Sequence, residues 1–169
     1  AVITPAPPTE PAPAAVTTQP VTVLVAEDVM TNMMLVRILL QKLIPNLVLI
    51  AAHNGAEAVQ LAQQHRVDLI LMDVQMPELD GLDATRLIRA HEQATGAHVP
   101  IIALTAGAFR EERERCLASG MDDFLTKPIQ PAALAEVRQR YLPQAVPVEP
   151  AAAAESSPRS QVVHAAARR

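Results

Sequence analysis

Five short apolar runs, separated by stretches whose apolar residues return at helical spacing, constrain this chain more than any other feature. The runs occupy positions 21–26, 47–51, 67–72, 101–104 and 124–126. The first four do not alternate apolar with polar residues, as a half-exposed strand does. Continuous Val, Ile and Leu mark strands covered on both faces. Thr31 or Asn32 is placed to cap a first helix, in which Leu35, Ile38, Leu39 and Leu43 follow helical spacing and which Pro45 and Asn46 stop. Asn54 and Gly55 open a second, running through Val59 and Ala62 to about His65. A loop from Asp73 to Gly81 leads to a third, carrying Leu87 and Ile88. The fourth covers 109–118 and ends at Gly120, where a left-handed residue closes a helix. Pro131 opens the fifth, with Leu134, Val137 and Tyr141 as its buried stripe.

Strand and helix in strict alternation predict an α/β domain, a parallel sheet with helices on both faces. Right-handed crossovers leave few topologies. At this size the expected one is the flavodoxin-like, doubly wound order 2-1-3-4-5 with five helices. The chain has 169 residues and 15 prolines, many of them gathered at the two ends with Ala, Thr and Val. Those ends lack periodic large apolar residues and read as extended linkers. The predicted organisation is a Pro/Ala-rich linker at 1–20, one folded domain at 21–142 and a Pro/Ala-rich flexible tail at 143–169.

Several function classes drop out. A net charge of −4 is no footprint for nucleic acid. No apolar run approaches the roughly 20 residues of a membrane span, and no secretory leader is visible at the start. The first residue is not Met, which points to a piece of a longer or processed protein. The one cysteine, Cys116, cannot form an internal disulfide and suits a reducing, cytoplasmic setting. It reads as a small buried hydrophobe on a helix.

In sheets of this kind ligands bind beyond the carboxyl ends of the strands. Glu27 and Asp28 follow the first strand, Asp73 the third, Thr105 the fourth, and Lys127 with Pro128 the fifth. Singly, each has a bland explanation: a turn former, a cap, a loop lysine, a β-branched strand residue. Together, at the proper ends of the proper strands, the bland reading needs several coincidences. Three crowded carboxylates repel, and a hard divalent cation relieves them; oxygen ligands with waters retained are the habit of Mg²⁺. A hydroxyl and an ammonium beside such a site suit a phosphoryl group, with Asp73 as nucleophile.

Four segments carry a resemblance. They are VLVAED at 23–28, LMDVQMPELDG at 71–81, ALTA at 103–106 and GMDDFLTKPI at 120–129. The chain from 21 to 142 resembles a response-regulator receiver domain, of the type found in hybrid sensor histidine kinases. The resemblance implies a phospho-accepting module of a two-component phosphorelay. It implies Mg²⁺ held by Glu27, Asp28, Asp73 and the main-chain carbonyl of Gln75. It further implies Asp73 as the phosphorylated residue, Thr105 and Lys127 on the phosphoryl group, and Phe124 as a switch aromatic coupled to Thr105. A cis peptide before Pro128 belongs to the same pattern. The implied partner is a histidine kinase or a histidine phosphotransfer domain, with no nucleic acid and no membrane contact by this segment, and with dimerisation left open. The output surface would be the fourth helix, fifth strand and fifth helix. The domain would catalyse its own phosphorylation and dephosphorylation, without a kinase core in this chain. One departure stands out: Val29 follows the acidic pair where many relatives carry Asn, while Asn32 is retained.

Competing chemistries fit less well. A haloacid-dehalogenase-type phosphatase needs a second Asp two residues after the nucleophile as general acid, and that position is Gln75. A dinucleotide-binding fold wants glycines after the first strand, and that turn is acidic and glycine-free. A pseudo-receiver that only docks usually lacks one of the key residues, and none is missing here. The run REERER at 110–115 reads as a solvated face or as part of the output surface.

Overall fold

The computed structural model describes residues 19–107 and 109–142. The predicted flanks lie outside them, apart from Gln19 and Pro20. Strands and helices alternate throughout: β1 (Val21–Ala26), α1 (Met30–Leu43), β2 (Leu47–Ala52), α2 (Gly55–Gln64), β3 (Leu69–Asp73), α3 (Gly81–Thr95), β4 (Ile101–Thr105), α4 (Arg110–Ser119), β5 (Asp123–Thr126) and α5 (Pro131–Tyr141). All pairings are parallel, and the sheet order is β2-β1-β3-β4-β5, as the alternation predicts.

Period-two alternation divides the apolar side chains between two cores. Val23, Val25, Leu69, Leu71, Ile102 and Leu104 face one way and pack with Met33, Val36 and Leu40 of α1 and Leu134 and Val137 of α5. Leu24, Ile70, Met72, Ile101 and Ala103 face the other way and pack with Leu82 and Ile88 of α3 and Cys116 of α4. Every residue of β3 and β4 is buried. Burying a large aliphatic side chain stabilises by roughly 1.5–3 kcal/mol, so these two strands anchor the domain.

Several local expectations are corrected. First, α1 starts at Met30 with Val29 as its N-cap, not at Thr31 or Asn32, and no side chain caps it. The Val29 N–H is instead taken by Glu27 Oε1 at 3.0 Å, so the acidic turn sets the helix start. Second, the buried face of α1 is Met33, Val36 and Leu40; Leu35 and Ile38 stand exposed. Third, Tyr141 is only partly buried, and α4 begins one residue late, with Phe109 as its N-cap. Both β3 and β4 run one residue further than expected, so Asp73 and Thr105 are themselves the last strand residues.

Candidate functional site

The carboxyl edge of the sheet gathers side chains from the ends of four strands. Glu27 follows β1, Asp73 ends β3, Thr105 ends β4 and Lys127 follows β5. Strand ends held in register by a fully buried ladder move little, so the spacing of these groups is fixed by the core. Close backbone packing contributes as well. Gly81 opens α3 pressed against the Asp73 carbonyl, and a Cβ there would collide with it. Gly55 is pressed in the same way against Leu79 of the loop after β3. Asp80 caps α3 by accepting from Asp83 N at 2.8 Å.

Lys127 is the centre of the cluster. Its Nζ donates to Asp73 Oδ2 at 2.8 Å. It also lies 2.8 Å from Glu27 Oε2, an ion pair without the direction of a good hydrogen bond. The side chains of Glu27 and Asp73 are 0% and 5% exposed, so their charges are nearly desolvated. The backbone supplies two more donors: Gln75 N to Asp73 Oδ1 at 3.1 Å, and Val29 N to Glu27 Oε1. Val29, at the position of the sequence departure, thus contributes its main chain, and its side chain is exposed.

Electrostatics separates the two buried carboxylates. Burial, reinforced by the negative charge of Glu27, pushes Asp73 up to about 6 against the pull of Lys127. Burial also works against ionised Glu27, but Lys127 and the Val29 N–H outweigh it and hold that carboxyl below its usual range. Lys127 is held above its ordinary value because its bonds to Asp73 and Glu27 outweigh the burial that opposes its charge. Two carboxylates sharing one ammonium leave excess negative charge in a desolvated place.

Asp28 completes the acidic set. It is exposed, and Glu27, Asp28 and Asp73 each offer an oxygen within 4.8 Å of the others. All three donors are carboxylate oxygens, and Glu27 Oε2 is buried with no well-directed hydrogen bond. Hard, oxygen-only donors of net negative charge fit a divalent cation such as Mg²⁺. Gln75 lies in the wall of the same cleft, a cavity of about 330 Å³ that Asp28, Val29, Asp73, Lys127 and Glu112 also line.

Thr105 adjoins the cluster through its main chain, where its carbonyl accepts from Lys127 N at 2.7 Å. Thr105 is buried, and its hydroxyl donates to the Gly107 carbonyl at 2.8 Å. Phe124, on β5 opposite Ala103, packs partly buried against the core under α4. The Arg113 guanidinium stands 4.3 Å above its ring centre. The peptide between Lys127 and Pro128 is cis. The strand-end reading brings Glu27, Asp28, Asp73, Thr105 and Lys127 to one edge, and Gln75 enters only with the family resemblance. Neither singles out Glu112 or Arg113, because a mixed-charge helix run carries no signal for which member faces a cleft. Burial, aided by the negative charge of Glu112, pushes the Cys116 thiol up, in keeping with an inert buried cysteine.

Known proteins share both pattern and fold. The family model for the response regulator receiver domain matches residues 23–139. The sensor protein GacS of Pseudomonas syringae pv. syringae is 47% identical over 116 residues, which are 68% of this chain and 13% of that protein. The chain spans between 4% and 15% of the length of histidine kinases that it matches. Among solved structures, the receiver domain of the sensor histidine kinase PA1611 from Pseudomonas aeruginosa, with a magnesium ion coordinated in its active-site cleft, is 41% identical. The match covers 73% of this chain and 98% of that one, with a TM-score of 0.65. The receiver domain of Ssk1 from Saccharomyces cerevisiae, crystallised with the histidine phosphotransfer protein Ypd1, is 31% identical. Here the match covers 77% of this chain and 94% of that one, with a TM-score of 0.70. Matching family model, strand order and acidic edge agree, and this chain belongs to the response regulator receiver domain family.

Proposed function

We propose that this receiver domain takes a phosphoryl group from a phosphohistidine onto Asp73. The observation that carries the reading is the Lys127 bridge: one ammonium on two buried carboxylates, with a third carboxylate beside them. Asp73 is the only one of the three that is both a strand-end residue and hydrogen-bonded by Lys127. In the transfer an Asp73 oxygen bonds to phosphorus while the phosphorus–nitrogen bond of the donor imidazole breaks and the imidazole keeps the electron pair. Lys127 remains on the transferring group and offsets its charge; the Thr105 hydroxyl turns from Gly107 to a phosphoryl oxygen. Glu27, Asp28, Asp73 and the Gln75 carbonyl would hold Mg²⁺, which supplies charge neutralisation at the phosphoryl oxygens.

The readout follows from the same residues. When the Thr105 hydroxyl moves, space opens behind it, and Phe124 on the neighbouring strand turns inward to fill it. The surface of α4, β5 and α5 changes shape and a partner senses it. The donor is a histidine kinase or a histidine phosphotransfer domain, a reading supported by GacS and by the Ypd1 partner of the Ssk1 receiver. The folded unit spans 21–142 between Pro/Ala-rich flanks and works in the cytoplasm, within a hybrid histidine kinase. No helix among the described residues is long and apolar enough to cross a membrane.

The test is chemical. With Mg²⁺ and acetyl phosphate, intact-mass measurement should show one phosphoryl group on the wild type and none on Asp73→Asn. Equal labelling of the two proteins, or none on either, would sink the proposal.

A further inference from the structure

The charged run on α4 is not uniform in the structure. Arg110 pairs with Glu114 at 2.9 Å in solvent, Glu111 is exposed, and Arg113 covers Phe124. Glu112 differs from all of these. It is partly buried, and it lines the cleft that holds Asp28, Asp73 and Lys127. Among the described residues no hydrogen bond or ion pair holds its carboxylate. A carbon built on Gly107 would stand 3.9 Å from Glu112 Oε2, which puts that oxygen beside the loop after β4. The Gly107 carbonyl in turn accepts the Thr105 hydroxyl.

If Thr105 turns to a phosphoryl oxygen, Gly107 loses its donor. The loop and the first turn of α4 then present two neighbouring acceptors, a carbonyl and a carboxylate. A water molecule has two protons to give such a pair and keeps a lone pair free. We propose that Glu112, with the Gly107 carbonyl, holds the water that hydrolyses the acyl phosphate of Asp73, and so sets its lifetime. The inference rests on the phospho-acceptor reading of Asp73. In the step, the water oxygen bonds to phosphorus as the bond from phosphorus to the Asp73 oxygen breaks. The electron pair returns to the Asp73 carboxylate. The water proton passes to Glu112 and on to solvent, and inorganic phosphate leaves.

The experiment labels wild type, Glu112→Gln, Glu112→Ala and Glu111→Gln with Mg²⁺ and acetyl phosphate, removes the donor, and follows decay by intact mass. Both Glu112 variants should lose the phosphoryl group about tenfold more slowly than wild type. Glu111→Gln, which makes the same charge change on the exposed face, should decay as wild type does. Wild-type decay in Glu112→Gln overturns the inference, and so does equal slowing in Glu111→Gln, which would make the effect one of net charge. Faster labelling of Glu112→Gln with unchanged decay also overturns it, because the carboxylate would then only repel the donor. An unlabelled wild type would overturn the phospho-acceptor reading itself, whereas a labelled wild type with unchanged Glu112→Gln decay overturns only this inference.

Discussion

The two edges of the sheet both bury charge, and they do so in opposite ways. At the amino edge, Arg89 of α3 donates to Asp122 Oδ2, Glu92 Oε2 and the Val99 carbonyl at 2.7 Å each, and to the Gly120 carbonyl at 2.9 Å. The remaining lone pairs are also engaged: Val99 N reaches Glu92 Oε1, Ile101 N reaches Asp122 Oδ2, and His98 lies against Asp122 Oδ1. At the carboxyl edge, two buried carboxylates share one lysine, and a third carboxylate stands close by. A satisfied buried network holds elements in place; an under-neutralised one binds what it lacks. The first edge clamps α3 to the starts of β4 and β5, and the second is left short of positive charge.

The largest expected effect lies at the satisfied edge. Arg89→Ala leaves two carboxylates without their cation and should lower stability by about 3–5 kcal/mol in urea unfolding. A loss under about 1 kcal/mol would break the contrast, because the amino edge would then not be a clamp.

The second effect has the opposite sign. Asp73 is raised by burial from its ordinary 3.8 to about 6, so between these values the folded chain holds the extra proton. Stability therefore falls as pH rises through that window, and the deficit is fully present above it. Without metal at about pH 8, Asp73→Asn should be more stable than wild type by on the order of 1–2 kcal/mol, and the gap should close below about pH 4. Thermal melts at the two pH values decide; a variant less stable than wild type at the higher pH would show that the edge is not under-neutralised.

A somewhat smaller effect sharpens the same point. Mg²⁺ at about ten times its dissociation constant should stabilise wild type by about 1.4 kcal/mol. Asp28→Ala should remove most of that gain, whereas a conservative change at exposed Glu111 should not. A full gain in Asp28→Ala would move the cation away from the acidic edge.

The smallest effect concerns the bridge between edge and surface. Arg113→Ala removes a guanidinium from the face of Phe124 and should cost about 0.5–1 kcal/mol. The Phe124 ring resonances should shift with it, and unchanged resonances would mean that the contact does not hold the ring.

The sequence discloses these two edges unequally, for a physical reason. Glu27, Asp73, Thr105 and Lys127 each end or directly follow an apolar strand, so a parallel sheet converts linear position into shared location. Asp73, Thr105 and Lys127 are legible for that reason, and so is the strand order. The clamp is not: Arg89 and Asp122 lie 33 positions apart, and nothing local marks them as partners. The buried face of α1 is misread because that helix is apolar nearly all round, so several stripes fit helical spacing and only the sheet selects among them. Its start is misread because Glu27, a site residue, takes the Val29 N–H and opens the helix before Thr31. The place of Glu112 in the cleft wall escapes because only the packing of α4 decides which glutamate turns to the cleft.

Asp73 is the proposed carrier of the phosphoryl group, and its chemistry can be trapped. Borohydride reduces an acyl phosphate to an alcohol, which turns the acceptor aspartate into homoserine. After labelling with Mg²⁺ and acetyl phosphate, reduction and peptide mass mapping should find homoserine at position 73 and nowhere else. Homoserine at position 28, or at any other aspartate in place of Asp73, would contradict the account.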